Sequence, residues 1–351
     1  MTELAQAFGL GEVESCEALG NGHIHRTILA RCGGRAFVMQ RLNDRVFPDL
    51  DALLENAERI TDHLRRQLLA SGTAEIERRV LRLLHTQAGA LSHRDEAGRL
   101  WRCCRFIDGS VSRSQALGSE DARAAARAFG AFAVALDDLE PAPTITLPGF
   151  HDLPGRRAEL EAAADADVSG HAVALADEIG ITLRLCDRLL LEHDLTRLPV
   201  RIVHNDCKLN NLLFDARSGE ALCILDLDTV MEGSVVYDFG ELVRTASCRA
   251  DEAERDLTKV HVDPLLLAAL TAGYVDGAEG LLTREELEAL PLAGARLALE
   301  NSLRFLTDHL AGDIYFRIER IDHNLDRHRA QRRLSELLFA ETEAVAAQLR
   351  F

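Results

Sequence analysis

Lysine is nearly missing from this chain. Among 40 basic side chains in 351 residues, only Lys208 and Lys259 are lysines. Acid outweighs base, for a formal net charge of −17. That balance excludes nucleic acid and anionic membrane as main partners, while leaving room for a local basic pocket around a phosphate. Long apolar runs are absent too. The most apolar segments carry Arg or Asp every few residues, so none has the roughly 20-residue length of a membrane-spanning helix. The opening MTELAQAFGLGEVES is polar and acidic, without the charged-then-apolar pattern of a signal segment. The eight cysteines form no CxxC pair and suggest neither a zinc site nor a disulfide framework. Reduced thiols in a cytoplasm are the expectation. One Trp and three Tyr supply an aromatic cage for a quaternary ammonium poorly.

What remains is ordinary globular composition, long enough for two lobes. Residues 13–40 read as three short strands, broken at Gly20-Asn21-Gly22 and at Gly33-Gly34. Residues 49–69 carry Leu53, Leu54, Ala57, Ile60, Leu64 and Leu68 at helical spacing, with Asp49 as cap. Val80–Leu84 and Leu100–Ile107 read as further strands joined by the turn-rich SHRDEAGR. After residue 108 the pattern turns helical. Helices are expected at 119–139, 171–194, 264–275, 283–290, 292–311 and 326–349, with a capping-box spacing at Thr283 and Glu286. Short strands are expected at Val200–Val203, Leu212–Phe214 and Ala221–Leu225. This shift places a lobe boundary at Asp108-Gly109, dividing the chain into residues 1–107 and 108–351.

The most informative stretch is 203–230, VHNDCKLNNLLFDARSGEALCILDLDTV. Asp206 and Asn211 lie five apart, and Asp226 follows at the end of an apolar run. A loop bearing a carboxylate and an amide, then a hairpin ending in a second carboxylate, suits Mg²⁺, which takes few protein oxygens and completes its shell with phosphate and water. A compact ammonium at Lys208 suits a phosphoryl group in transfer better than a planar guanidinium. Other residues admit two readings. His204 is either a loop anchor or a proton carrier. Asp228 either supports its neighbours or touches a substrate. Arg304 is either a surface arginine or a ligand donor, and Tyr315 and Phe316 are either core or a stacking platform.

The string His204-x-Asp206-x-Lys208-x-x-Asn211 resembles the protein-kinase catalytic loop. With Ile-Leu-Asp226-Leu-Asp228 after it, the chain resembles the aminoglycoside phosphotransferase and choline kinase superfamily. It is closest to the N-acetylhexosamine 1-kinase branch, through HNDCKLNN, LDLDTV, YDFG at 237–240 and RFLTDHLAGDIYF at 304–316. QRLN, VFPD and GFHDLP (149–154) are similar to that branch as well. The resemblance implies an α+β, two-lobed protein-kinase-like fold, with a small antiparallel-sheet lobe bearing one long helix and a larger, mainly helical lobe. It implies ATP as donor and Mg²⁺ as cofactor. Asp206 is then the catalytic base, Lys208 contacts the moving phosphate, and Asn211 and Asp226 hold the metal. Asp228, Thr229 and Arg304 face the acceptor, while His204 and Asp238 are structural.

One departure stands out. No lysine precedes Lys208, so the phosphate-holding lysine that kinases place on the third strand does not exist here. Gln40 or Arg41 stands in its place. Glu55 is a candidate helix partner, although an exposed helix glutamate fits equally. Gly20 and Gly22 suit a phosphate-covering loop, and the strand ending at Arg105–Ile107 is the implied adenine edge. The expected activity is phosphoryl transfer to the anomeric hydroxyl of an N-acetylhexosamine. Rival readings are an aminoglycoside, choline or amino-alcohol kinase, a non-catalytic nucleotide-binding regulator, and a metal-dependent hydrolase.

Overall fold

The computed structural model describes residues 1–20 and 24–349. In chain order the first 112 residues hold α1 (Thr2–Ala7), β1 (Val13–Ala18), β2 (Arg26–Cys32), β3 (Arg35–Arg41), α2 (Leu50–Ala70), α3 (Ile76–Arg79), β4 (Ser92–Arg94), β5 (Leu100–Arg105) and β6 (Ser110–Ser112). Next come α4 (Ser119–Leu136), α5 (Leu153–Ala166), α6 (Ala176–Glu192) and β7 (Arg201–Val203). A hairpin of β8 (Leu212–Asp215) and β9 (Ala221–Ile224) leads to β10 (Met231–Gly233). Helices α7 (Val235–Ala246), α8 (Pro264–Gly277), α9 (Arg284–Leu310), α10 (His323–Ala340) and α11 (Thr342–Gln348) finish the fold. The class is α+β, with an antiparallel sheet early in the chain and helices dominating the rest.

These elements pack into two units. The first comprises Met1–Ser112, Asp138–Leu147 and Leu212–Met231; the second comprises Arg113–Asp137, Pro148–Asn211 and Glu232–Phe351. Unit 1 is built on the five-stranded sheet β1-β2-β3-β5-β4. Gly33 and Gly34 both take positive φ, 54° and 74°. That double left-handed step closes a two-residue hairpin whose twist matches its strands, setting Cys32 opposite Arg35 and Thr27 opposite Gln40. Ile28, Ala30, Phe37, Met39, Trp101 and Cys103 form one buried cluster with Leu4 and Phe8 of the α1 region. Asp49 caps α2 by accepting from the Ala52 N–H at 2.9 Å. The helix buries Leu53, Leu54, Ala57 and Ile60 of the expected stripe, while Leu64 and Leu68 are half-buried. A second sheet, β6-β8-β9, completes the unit.

In unit 2, α4 and α8 approach closely because glycine lines their contact. A methyl on Gly273 would lie 2.3 Å from the Arg123 carbonyl oxygen, and one on Gly277 2.1 Å from that of Arg127. Helix α9 runs unbroken from Arg284 through Pro291 to Leu310, not as the two helices expected at 283–290 and 292–311. Proline removes one N–H, but Leu290, Ala293, Leu297 and Leu299 are all fully buried, and that packing on both sides of Pro291 holds the axis together.

Other expectations are corrected. Residues 80–84 form no strand; the segment makes only a bridge from Leu83 to Cys104, beyond the 100–102 stretch of β5 that pairs with β4 at Ser92–Arg94. Helix α5 went unread, since RRAELEAAADA has little apolar periodicity and buries only Leu153 and Leu160. The helix expected at 171–194 spans Ala176–Glu192, and the one expected at 326–349 is two, α10 and α11, meeting at Glu341.

The glycine-lined contact yields the first prediction. Gly273→Ala in the full chain lowers the thermal unfolding midpoint, because overpacking against backbone costs about 1–3 kcal/mol. A midpoint unchanged within a degree in a calorimetric scan would show that α4 and α8 separate freely.

Candidate active site

In unit 2 the chain leaves β7 into a tight turn. Asn205 sits at φ 63°, the left-handed region that Asn tolerates better than most residues. Asp238, in the first turn of α7, pins the turn: one oxygen accepts the His204 N–H at 3.0 Å and the other the Asn205 N–H at 2.6 Å. Burial raises the Asp238 carboxyl despite these donors. His204 is fully buried against the rings of Phe129 and Phe132, each 5.7 Å away. Its Nδ1 accepts the Asp206 N–H at 3.2 Å.

The Asp206 carboxylate is oriented from both sides. Lys208 Nζ lies 2.6 Å from Oδ1, and Asn211 Nδ2 donates to Oδ2 at 3.0 Å and to the Asp206 carbonyl at 2.9 Å. Burial pushes the Asp206 carboxyl upward, but the Lys208 ammonium more than reverses this, and the net shift is downward. Lys208 is likewise driven down by burial and raised on balance by Asp206 and Glu241. Behind the loop, Glu241 is clamped by Arg244 at 2.8 and 2.6 Å. Asn211 spends its amide N–H groups on Asp206, and its Oδ1 accepts no hydrogen bond among the described residues. A bare amide oxygen is what a hard cation such as Mg²⁺ takes. No set of three His, Cys, Asp or Glu side chains among the described residues could cage a metal.

Arg304, half-buried on α9, has its guanidinium 5.3 Å from the Phe316 ring and 5.9 Å from that of Phe150. It makes no ion pair among the described residues. Asp308 gathers the N–H groups of Ile314, Tyr315 and Phe316 at 2.8–3.0 Å, holding the loop that carries these rings. Phe316 packs on Phe305, and Tyr315 is exposed.

In unit 1, Asp226 takes a left-handed φ of 56° and opens the 3-10 turn Leu227–Thr229. Asp228 is buried and fully engaged. Arg102 holds it through both oxygens at 2.5 and 2.7 Å. His25 Nδ1 accepts the Asn43 N–H, so its Nε2 carries the proton it donates to Asp228 at 2.8 Å. Thr146 donates to the Asp228 carbonyl at 2.8 Å, and Thr229 is buried. Gln40, the register partner of Arg102, accepts from Arg102 Nε at 2.9 Å and donates to Thr27 at 3.3 Å. Arg41 makes no ion pair among the described residues. Arg105 is exposed, and Ile107 is buried with Leu222 and Cys223. Gly20 is exposed at φ 70°, and Gly22 lies outside the described residues. Glu55 is exposed, while its neighbour Asn56 is buried and bonded to Thr144.

The sequence reading missed Arg102, His25, Thr146, Glu241 and Arg244. The one signal for Arg102 was a charge inside the apolar strand LWRCC, where burial demands a partner.

The family model described as the phosphotransferase enzyme family, APH, matches residues 15–290. Among solved structures, an aminoglycoside phosphotransferase from Alicyclobacillus acidocaldarius is similar at 13% identity and a TM-score of 0.60, covering 98% of this chain and 95% of its own. A microcompartment-associated aminopropanol kinase is similar at 16% identity and a TM-score of 0.59, covering 99% of each chain. A spectinomycin phosphotransferase in complex with ADP and spectinomycin is similar at 13% identity and a TM-score of 0.56, covering 99% and 97%. At such identities the likeness shows the fold, which is protein-kinase-like.

The Arg102–Asp228 pair carries a stability prediction. Arg102→Met leaves a buried carboxylate short of its main partner and costs about 3–5 kcal/mol, whereas the double variant with Asp228→Leu recovers part of that loss. Urea unfolding checks both, and a single variant within 1 kcal/mol of the parent contradicts the assignment.

Proposed function

The chain belongs to the phosphotransferase enzyme family and is an ATP-dependent phosphotransferase with an alcohol acceptor; on that premise we propose that it is an N-acetylhexosamine 1-kinase. The observation that carries the acceptor class is the meeting of Arg304 with Phe150 and Phe316 in unit 2. The three belong to GFHDLP and RFLTDHLAGDIYF, the strings that resemble the N-acetylhexosamine kinase branch. A guanidinium without a carboxylate partner offers several hydrogen bonds to a neutral polyhydroxylated ring and repels a cationic acceptor. A site that hydrogen-bonds sugar groups rejects analogues lacking them by about 10⁴-fold.

In this reading Asp206 receives the acceptor hydroxyl. Its two oxygens are already oriented by Lys208 and Asn211, so little freedom is lost when substrate arrives. A carboxylate held below its ordinary range is a weak base. That suits a loose phosphoryl transition state, in which the hydroxyl needs orientation more than early deprotonation. The same ion pair accounts for the retained lysine. Lys208 keeps Asp206 ionised and presents a compact charge to the moving phosphoryl group, a task for which a planar fork is the wrong shape. Asn211 through its bare Oδ1, and Asp226 by the resemblance of its string, are the proposed oxygen donors to magnesium. When bound, Mg²⁺ neutralises charge on the nucleotide phosphates. Gln40 spends its amide within unit 1, so Arg41 is the proposed cation in place of the missing third-strand lysine. Gly20, Gly22, Arg105 and Ile107 remain the proposed nucleotide contacts. Asp228, with its carboxylate taken up by Arg102 and His25, is proposed to brace Asp226, leaving Thr229 and Arg304 for the acceptor.

Three outcomes test this. Asp206→Asn abolishes transfer, by 10²–10⁴-fold or more on the scale of a lost positioned base, while the thermal midpoint is preserved. A variant with a third of the parent turnover would end the assignment. Lys208→Ala lowers kcat far more than it raises the KM for ATP, and Lys208→Arg rescues poorly; full rescue by arginine would make the retained lysine incidental. With Mg·ATP and N-acetylglucosamine or N-acetylgalactosamine, the phosphorylated product has no reducing end. A product that still reduces alkaline copper places the phosphate elsewhere on the ring, and turnover restricted to aminoglycosides, choline or aminopropanol overturns the acceptor class.

A further inference from the structure

His151 lies in the GFHDLP string, and no catalytic or binding role has been given to it. It is buried within unit 2, and each ring nitrogen faces an acceptor. Nε2 lies 2.8 Å from the Asn205 carbonyl oxygen. Nδ1 lies 3.0 Å from Glu300 Oε1, whose side chain is fully buried. A carbonyl oxygen only accepts, so Nε2 carries a proton. Nδ1 faces a carboxylate oxygen, and a second ring proton there completes a bridge from Glu300 to the Asn205 carbonyl. Ring contacts come from Tyr237 of α7 at 4.7 Å and from Phe150 at 4.5 Å.

The carbonyl that His151 grips belongs to the peptide that delivers Asp206. The N–H of that same peptide is held by His204 Nδ1 at 3.2 Å, and the preceding N–H, of Asn205, by Asp238 at 2.6 Å. A left-handed, non-glycine turn costs about 1–3 kcal/mol and persists only where its surroundings fix it. Glu300 stands one turn before Arg304 on α9, so His151 also ties the catalytic turn to the helix that carries the proposed acceptor arginine. We propose that His151 is a positioning residue: as an imidazolium bridging Glu300 and the Asn205 carbonyl, it locks the peptide plane that aims Asp206. The proposal rests on the reading of Asp206 as the group that receives the acceptor hydroxyl.

The charged and titratable groups around the ring are Glu300 on α9, with Arg296 one turn before it, Glu241 and Tyr237 on α7, and Asp152 next in the chain. Burial lowers the imidazolium's pKa, but Glu300 and the Asn205 carbonyl outweigh it and the net shift is upward. A group raised in the folded protein keeps its proton throughout the range below the ordinary imidazole value of about 6.5. Its contribution is full there and is lost as pH rises through the folded value. The lock therefore fails on the alkaline side, and kcat carries a basic limb that belongs to His151.

The test has two arms on the full-length protein. In ¹H–¹⁵N spectra of histidine-labelled protein near pH 6.5, the ring signals that disappear in His151→Gln show protons on both nitrogens. A ring with one proton overturns the bridge. In the kinetic arm, His151→Gln keeps an N–H for the carbonyl but cannot titrate. Its kcat falls roughly 10- to 100-fold, the scale of a small misplacement of a reacting group, the KM for ATP stays put, and the basic limb disappears. Glu300→Gln moves that limb to lower pH. Turnover within twofold of the parent, or an unchanged limb in both variants, overturns the positioning role. Retained turnover in Asp206→Asn sinks the reading of Asp206 itself, whereas the ring's proton count decides the bridge without reference to activity.

Discussion

Asp238 accepts two consecutive backbone N–H groups, and the turn that carries Asp206 in unit 2 depends on that. A buried N–H left unpaired costs about as much as a lost hydrogen bond, and the turn at His204-Asn205 would bury two of them. Supplying one carboxylate from the start of α7 satisfies both and fixes a left-handed residue in place. From that fixed point, the Asp206 N–H turns to His204, the Asp206 carboxylate turns to Lys208 and Asn211, and the Asn211 oxygen is left bare. Each step is a local hydrogen-bond necessity, and together they order the turn and the side chains it carries.

Unit 1 solves a parallel problem with a different cation. The turn after β9 also contains a left-handed aspartate, Asp226, and two residues on, Arg102 and His25 grip Asp228. Arginine suits that place because its fork matches both carboxylate oxygens at once and its charge survives burial. The cross-strand pairing of Arg102 with Gln40 ties this grip to the strand on which kinases carry a lysine. The chain thus separates two duties by residue type. Arg102 grips Asp228 with a two-pronged fork, whereas Lys208 meets Asp206 through one compact ammonium.

How much of this was legible in the sequence follows from contact range. His204, Asp206, Lys208 and Asn211 interact within a few residues, so their spacing marked them as candidates. Asp49, Thr283 and Glu286 announced their helix starts for the same reason. Arg102 meets Asp228 across 126 residues and His151 meets Glu300 across 149, and periodicity carries no trace of such pairings. Helix α5 escaped because its exposed Ala, Glu and Arg residues bury little, and β4 because an edge strand of three residues shows almost no alternation. Pro291 misled in the opposite direction: local chemistry argued for a break, and the packing of α9 outvoted it.

The scarcity of lysine has a practical side. Acylating or aldehyde reagents that seek primary amines find two side chains in this protein, besides the terminal amine. Lys259 is well exposed, at 63% of its side-chain surface, with Glu254 no nearer than 3.7 Å, whereas Lys208 is at 35% and bound to Asp206 at 2.6 Å. An ion-paired ammonium is a poor nucleophile, since its proton must leave before it can react. Amine-directed chemistry would therefore modify Lys259 first and reach Lys208 only when the Asp206 pairing opens. The rate of that slower labelling would be a clock for how often the site comes apart.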